Sequence, residues 1–416
     1  MSLSRRLTDL VSEGKPASTL PRVAVVCRLL WNGGVQRVAI EQTRALRDIG
    51  LDCDLVFLRR VENSTYLLPD GTRILSLSDS TRGEANAILR SVTGLYAGHR
   101  GQEATVDLDL IFRARRAIRA YDIVIYNDQY AALAGVWNRL TAGQPYVLMF
   151  HEFFPRVSKR LSRKLLYPLA SLLDATSILL APGVVTTSTK IYARLSRIVP
   201  GRVFLARLAS PAPRAVARDL QTTRKRVLSV TVWDRGRHPE LIIEVAKLLP
   251  EFEFTIAGFW AEEAFRAEVE KSASMLPNVL VTGTIPEDQL KGLYESNLIF
   301  MRFGYGESGP GMGGLEALSF GCIVIANEGL GIAEVIRDGV DGFIASDLSP
   351  GTIATLLRRI DAMDDATLGV HSEHALKLAG QLSWHEHGRV LTEAIKSVLR
   401  QKADGTFSPV SSSVER

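Results

Sequence analysis

From Met301 to Gly342 the chain reads MRFGYGESGPGMGGLEALSFGCIVIANEGLGIAEVIRDGVDG, and this stretch combines glycines, carboxylates and a short helix in one place. Seven glycines fall between Met301 and Gly321. Successive glycines let backbone N–H groups approach a ligand closely. The N-terminus of a helix expected over residues 313–320 adds about half a positive charge, so the loop favours an anion such as a diphosphate. Glu307 and Glu316 beside such a nest would repel phosphate, yet as acceptors they suit the hydroxyls of a sugar or ribose. Two carboxylates within one loop-helix element are placed for binding, not for hydrolysis across a glycosidic bond.

The flanking apolar runs 298–303 and 322–326 are too short for helices and suit buried strands. Upstream, strand and helix patterns alternate cleanly: strands at 226–232, 252–258 and 278–284, helices at 239–249, 262–275 and 286–295. That alternation demands right-handed crossovers and a parallel sheet. Between the first strand and helix lies Trp233-Asp234-Arg235-Gly236-Arg237-His238, where Arg235 and Arg237 are candidates to grip phosphate, or Arg235 simply decorates a solvated loop.

The first half repeats the theme less regularly. An apolar run from Pro21 ends at Gly33 and Gly34, after which Val38, Ile40, Thr43, Leu46 and Ile49 fall at helical spacing before a strand at 51–58. The glycine pair fits a phosphate approach or merely a tight turn before a helix. A strand at 145–150 delivers His151 to a carboxyl edge, where ligands sit in doubly wound sheets. Further strands are expected at 121–128, 183–188 and 201–206, helices at 350–363, 364–382 and 383–399, and irregular structure over 60–110.

Taken together, the motifs resemble the donor-binding segment of the retaining, family 4 glycosyltransferases of the GT-B fold. In that family an acidic residue, seven others and a second Glu precede Ala, a small helix, Gly, a strand, and a loop ending in Glu before an Asp-Gly-x-x-Gly turn. Here these positions are Glu307, Glu316, Ala317, Gly321, the 322–326 run, Glu334, and Asp338 through Gly342. Eight residues separate Glu307 from Glu316. Either the Gly-Pro-Gly loop bulges by one residue and Glu307 keeps the family role, or Ser308 takes that position. Val232 stands where the family has Arg, and Arg237 fits the family's Lys position.

The resemblance implies an α/β architecture of two Rossmann-like parallel-sheet domains facing a central cleft, with a C-terminal helix crossing back to the first. The expected layout is a loose leader (1–20), an acceptor-side domain (21–208), a linker (209–225), a donor-binding domain (226–382), the crossing helix (383–402) and a disordered tail (403–416). It further implies sugar transfer from a nucleotide diphosphate sugar to a hydroxyl acceptor with retention and without a metal cofactor. Gly33, Gly34, Arg235, Arg237 and the loop residues Ser308, Gly309, Gly311, Met312 and Gly313 would hold the donor. Glu316 and Glu334 would complete its site, and Glu307 and His151 would act at the transferred sugar. A phosphate oxygen would take the acceptor proton. The rival readings are a non-catalytic nucleotide-sugar binder, suggested by Val232 and the extra loop residue, and a nucleotide-sugar epimerase, for which no acid-base pair is evident.

Composition bounds the rest. At 416 residues and 46% apolar content the chain has room for two domains. Cys27, Cys53 and Cys322 lie in or beside apolar runs and lack metal-like spacing, so buried thiols are expected. The triplets Asp52-Cys53-Asp54 and Asp107-Leu108-Asp109 are not read as a metal site. No run approaches the length of a membrane span and no apolar signal core begins the chain, so a cytoplasmic location is expected. Net charge is +5, yet residues 151–210 carry ten Lys or Arg against Glu152 and Asp174. Within 153–173 Val157, Leu161, Leu165, Leu169 and Leu173 spread over one helical face, opposite Arg156, Lys159, Arg160, Arg163 and Lys164. That is the pattern of a helix lying on an anionic membrane, which would bring a lipid-linked or growing glycan acceptor of a surface-polysaccharide or glycolipid pathway to a peripheral enzyme. An ordinary surface helix has the same pattern. Nucleic acid is not an expected partner.

Overall fold

The computed structural model describes residues 20–30, 33–60, 66–75, 114–127, 129, 131–151, 167–305 and 309–406. The chain divides into two compact units, residues 1–207 with 384–416, and residues 208–383.

Unit 1 runs β1 (Val23–Leu30), α1 (Gly34–Asp48), β2 (Cys53–Arg60), β3 (Arg73–Ile74), β4 (Ile123–Tyr126), α2 (Ala132–Ala142), β5 (Tyr146–Phe150), α3 (Tyr167–Leu179), β6 (Gly183–Thr186), α4 (Thr189–Ile198) and β7 (Val203–Leu205). Its seven strands lie in the order β3-β2-β1-β4-β5-β6-β7, all parallel. Parallel sheets are covered on both faces, which is why these strands read as unbroken apolar runs. Along β1 the period of two sorts its side chains into separate cores: Ala24 and Val26 pack with Tyr126, Leu148 and the residues of α2, while Val23, Val25 and Cys27 face Leu391, Ile395 and Val398.

Unit 2 continues with α5 (Leu220–Thr223), β8 (Arg226–Val230), α6 (Pro239–Leu248), β9 (Glu253–Ala257), α7 (Glu263–Ala273), β10 (Val279–Val281), α8 (Glu287–Ser296), β11 (Ile299–Arg302), α9 (Met312–Ser319), β12 (Ile323–Asn327), β13 (Gly342–Ala345), α10 (Pro350–Asp361) and α11 (Asp365–Gln381). The six strands lie in the order β10-β9-β8-β11-β12-β13, again all parallel. Local chemistry sets several helix starts. Ser349 and Asp364 cap α10 and α11 by accepting the N–H groups of Thr352 and Thr367, at 3.2 and 2.7 Å.

The last helix, α12 (Trp384–Ala403), belongs to unit 1. It packs so closely that a Cβ on Gly388 would lie 2.9 Å from Ile49 Cδ1 and one on Gly183 would lie 2.7 Å from Val398 Cγ2. Its buried His387 bonds the carbonyl of Arg207 through Nδ1 at 2.8 Å and meets Gln42 Nε2 through Nε2 at 3.0 Å. Burial lowers the His387 pKa to about 4, so the ring is neutral.

Several elements differ from the sequence reading. Strand β3 lies in the stretch read as irregular and α5 in the stretch read as a linker, both too short to show a period. Helix α4 and strand β13 also appear where no element was expected, because α4 has only two buried positions and β13 follows a turn directly. Residues 209–225, read as a linker, run along unit 2 and satisfy open helix ends there. Ser210 N donates to Leu382 O (2.8 Å) and Arg214 N to Ser319 O (2.7 Å). The Ser210 hydroxyl donates to Leu315 O at 3.0 Å. Cys27, Cys53 and Cys322 are buried with no disulfide among them, and burial raises the thiols of Cys53 to about 12 and Cys322 to about 11. Among the described residues no helix is long and apolar enough to cross a membrane.

Candidate functional site

In unit 2 the strand order reverses between β8 and β11, and ligands of open parallel sheets bind outside the carboxyl ends at such a reversal. Two loops leave from this point, 231–238 and 303–311. In the first, Asp234 Oδ1 accepts Gly236 N at 2.9 Å and shapes a single 3₁₀ turn, Arg235–Arg237. The Arg237 guanidinium bonds the Thr231 hydroxyl and has Nε 3.6 Å from Asp234 Oδ2, with its side chain 17% exposed. Arg235 forks onto Glu268 of α7 at 3.1 and 2.9 Å and lies over the Phe265 ring at 4.5 Å. The hydrogen bond from Arg235 holds the Glu268 carboxyl below its usual range. Of the two arginines singled out in the sequence, Arg235 is thus engaged by α7, and Arg237 is braced by its own loop.

The second loop touches the first backbone to backbone. Gly304 has φ 141°, and a Cβ there would lie 2.6 Å from Gly236 O, so only glycine permits the approach. Asn327, buried at the end of β12, brackets Gly304 with both ends of its amide. Oδ1 accepts Gly304 N at 3.1 Å and Nδ2 donates to Gly304 O at 3.0 Å. Sequence reasoning missed Asn327, although a polar residue ending an otherwise apolar run was a visible signal. His238, left-handed at φ 49°, sets its ring against the edge of Tyr305. Residues 306–308, with Glu307 and Ser308, lie outside the described residues.

Beyond them, Gly309 meets Gly331 so closely that a Cβ on Gly331 would lie 2.1 Å from Gly309 O. Gly311, at φ 68°, caps α9, which starts at Met312, one residue earlier than the sequence reading. A Cβ on Gly313 would lie 2.6 Å from Val230 O, so the start of α9 presses on the end of β8. The helix N-terminus, with its partial positive charge, is therefore at the strand reversal beside the Arg237 loop.

Glu316 is half-buried between fully buried neighbours on α9, and its Oε2 accepts the hydroxyl of Tyr294 at 2.9 Å. Tyr294 on α8 is itself buried and stacks on Phe320. Burial, then the Glu316 charge, push the phenol pKa far up, so Tyr294 stays protonated and orients the carboxylate as a donor. Nothing in the sequence distinguished Tyr294 from an ordinary core aromatic. Glu334 ends the 3₁₀ turn Gly331–Glu334, half-buried. The following Asp-Gly-x-x-Gly turn is held from within: Arg337 forks onto buried Asp341 at 2.7 and 2.6 Å, and Asp338 accepts Ile344 N at 2.8 Å. Burial alone would raise the Asp341 pKa, but the Arg337 hydrogen bonds outweigh it and the carboxyl stays low.

In unit 1 the order reverses between β1 and β4. Gly33 caps α1 and its carbonyl accepts the Tyr66 hydroxyl at 3.1 Å, while a Cβ on Gly34 would meet no described atom within 4 Å. His151 follows β5, with Nε2 3.3 Å from Oδ1 of buried Asn127. Lys159, Arg160, Arg163 and Lys164 lie outside the described residues. Asp54 of the first acidic triplet accepts the Tyr121 hydroxyl at 2.7 Å and the Arg22 guanidinium at 3.2 Å. Among the described residues no group of three or more His, Cys, Asp or Glu is arranged to hold a metal ion.

Comparison with known proteins agrees with this division. The model described as "Glycosyl transferases group 1" matches residues 216–366, and that described as "Glycosyltransferase Family 4" matches residues 32–206. A search of the curated proteins by sequence gave no match. Among solved structures, HepE from Anabaena, in complex with UDP and glucose, aligns with a TM-score of 0.69 at 14% identity over 91% of this chain and 100% of its own. Sucrose-phosphate synthase from Thermosynechococcus elongatus aligns at 0.71 with 16% identity, over 91% of this chain and 99% of its own. A TarM variant from S. aureus, in complex with Fondaparinux, alpha-GlcNAc-glycerol and UDP, aligns at 0.66 with 11% identity, over 90% and 99%. At such identities the likeness establishes the fold. With one family model on each of its two parallel-sheet units, the chain belongs to the group 1, family 4 glycosyltransferases of the GT-B fold.

Proposed function

We propose that the protein transfers a sugar, with retention, from a nucleotide diphosphate sugar to the hydroxyl of a lipid-linked or growing glycan, without a metal. The observation that carries this reading is the strand reversal in unit 2, where Arg237, the start of α9 and the Tyr294-oriented Glu316 come together. A departing diphosphate gains negative charge as the sugar becomes cationic. Preorganised donors aimed at that charge are the main source of acceleration such a site can offer. Arg237 and the Gly309–Gly313 backbone would hold the diphosphate, Glu316 the ribose hydroxyls, and Glu307 the donor sugar. A phosphate oxygen would take the acceptor proton on the face that the leaving group vacates, which is what retention requires.

UDP-sugars are the first donors to try, because UDP-bound HepE and TarM share the fold. A thermal-shift panel of nucleotide sugars identifies the donor, and NMR of the transfer product gives the anomeric outcome. An inverted product would remove the retaining mechanism. Activity lost in chelator and restored by Mg²⁺ or Mn²⁺ would remove metal independence. Turnover reduced by Glu307→Gln but not by Ser308→Ala places Glu307 at the sugar, and the reverse ranking places Ser308 there. Residues 153–173 would dock the enzyme on an anionic membrane. Liposome sedimentation of wild type against a variant with Lys159, Arg160, Arg163 and Lys164 changed to Ser tests this, and equal binding refutes it. The binder reading keeps its two supports, Val232 in the family's Arg position and the extra loop residue before Glu316, and predicts donor binding with neither hydrolysis nor transfer.

A further inference from the structure

At the carboxyl edge of the unit 1 sheet, adjacent strands end in buried polar groups. Asn127 follows β4 and is 0% exposed, Gln129 is 2% exposed, and Thr186 at the end of β6 is 0% exposed. Asn127 Nδ2, Gln129 Nε2 and Thr186 Oγ1 have no hydrogen-bond partner among the described residues. His151 follows β5, the strand between β4 and β6, and its preceding residue Phe150 pairs with Thr186. The imidazole Nε2 is 3.3 Å from Asn127 Oδ1.

We infer that Asn127 is a positioning residue for His151, its amide oxygen accepting the Nε2–H so that the ring is held in one tautomer with Nδ1 as its acceptor. This deepens the proposed function, because it rests on His151 acting at the transferred sugar. An amide oxygen has no proton to give, so the ring nitrogen facing it must donate. A carboxylate in place of the amide would favour the charged imidazolium more strongly. A neutral ring with Nδ1 unprotonated can accept a hydrogen bond from a sugar hydroxyl, and an imidazolium cannot. On either side of His151 the described groups, Asn127 and Thr186, carry no charge. Asp128 follows Asn127 and Glu152 follows His151 in sequence, and both lie outside the described residues.

The experiment uses the full-length protein and long-range ¹H–¹⁵N spectra of its imidazoles, with His151 identified by its absence in His151→Gln. The expected result is the Nε2–H tautomer in wild type. Asn127→Ala should mix the tautomers and lower kcat by roughly tenfold, the scale of one lost hydrogen bond. Asn127→Asp should keep the tautomer, raise the ring's titration point, and move the acid limb of the rate profile to higher pH. Thermal melting confirms that each variant is folded, and the Asp variant's spectrum decides the question if the Ala variant is not. An Nδ1–H ring in wild type, or an unchanged tautomer and rate in Asn127→Ala, overturns the inference. If His151→Gln turns over normally, the sugar-side role of His151 fails, and the tautomer spectra still decide separately whether Asn127 positions the ring.

Discussion

The two units share one plan, a parallel sheet whose strand order reverses beside its first strand, and they furnish its carboxyl edge with different chemistry. In unit 2 the edge is made of glycine backbones pressed against one another, a braced arginine and a carboxylate steered by a buried phenol. In unit 1 it is made of neutral buried amides, a threonine hydroxyl and one imidazole. Close backbone approach and fixed charge suit a polyanion that must be gripped as it leaves. Neutral donors and acceptors suit hydroxyls, which need direction more than charge. The fold supplies the edge in both units, and side-chain choice assigns the task.

The sharpest test of this contrast uses the glycines. Gly313→Val in unit 2 should abolish transfer and destabilise that unit by about 1–3 kcal/mol, since its Cβ would enter the space of Val230 O. Gly34→Ala in unit 1 should leave the melting temperature nearly unchanged, because the added methyl meets no described atom within 4 Å. Equal melting of the two variants would erase the difference. Next in size, Glu316→Ala should weaken nucleoside diphosphate binding by about 1.5–3 kcal/mol, read by calorimetry, and unchanged affinity would remove the ribose assignment.

Acid should separate the units too. His387 is neutral when folded and its pKa is depressed to about 4 by burial, so the unfolded chain takes up its proton first as pH falls. Stability is therefore intact above the ordinary histidine value and is lost between about pH 6.5 and 4, by roughly 2 kcal/mol at pH 5. His387→Gln should flatten that slope in a pH series of thermal melts, and a slope identical to wild type would exclude His387 as its source. Smaller again, Arg237→Ala should cost roughly tenfold in nucleoside diphosphate affinity, whereas Arg235→Ala, already committed to Glu268, should cost none. The reverse order would exchange their roles. Tyr294→Phe should show the smallest change, about 1 kcal/mol in the same titration, through a less firmly oriented Glu316.

Much of the architecture was legible along the chain. Unbroken apolar runs of strand length alternating with helical periods require a parallel α/β sheet. The glycines and acids from Met301 to Gly342 marked the candidate donor loop, because backbone freedom and carboxylate chemistry are properties of single residues. Pairings between distant positions carried no such mark. Arg235 was singled out as a phosphate candidate, but its pairing with Glu268 and Phe265 left no trace in the sequence pattern. Asn327 around Gly304, Tyr294 on Glu316, Asn127 beside His151 and Gln42 against His387 join residues 23, 22, 24 and 345 positions apart. A period in the sequence reports which face of one element is buried, and it is blind to which element lies opposite. The sequence by itself therefore determined the elements and the chemistry available at the carboxyl edges. Only the tertiary structure decided which buried amide or phenol meets each of those groups, because that choice depends on strand order and helix packing.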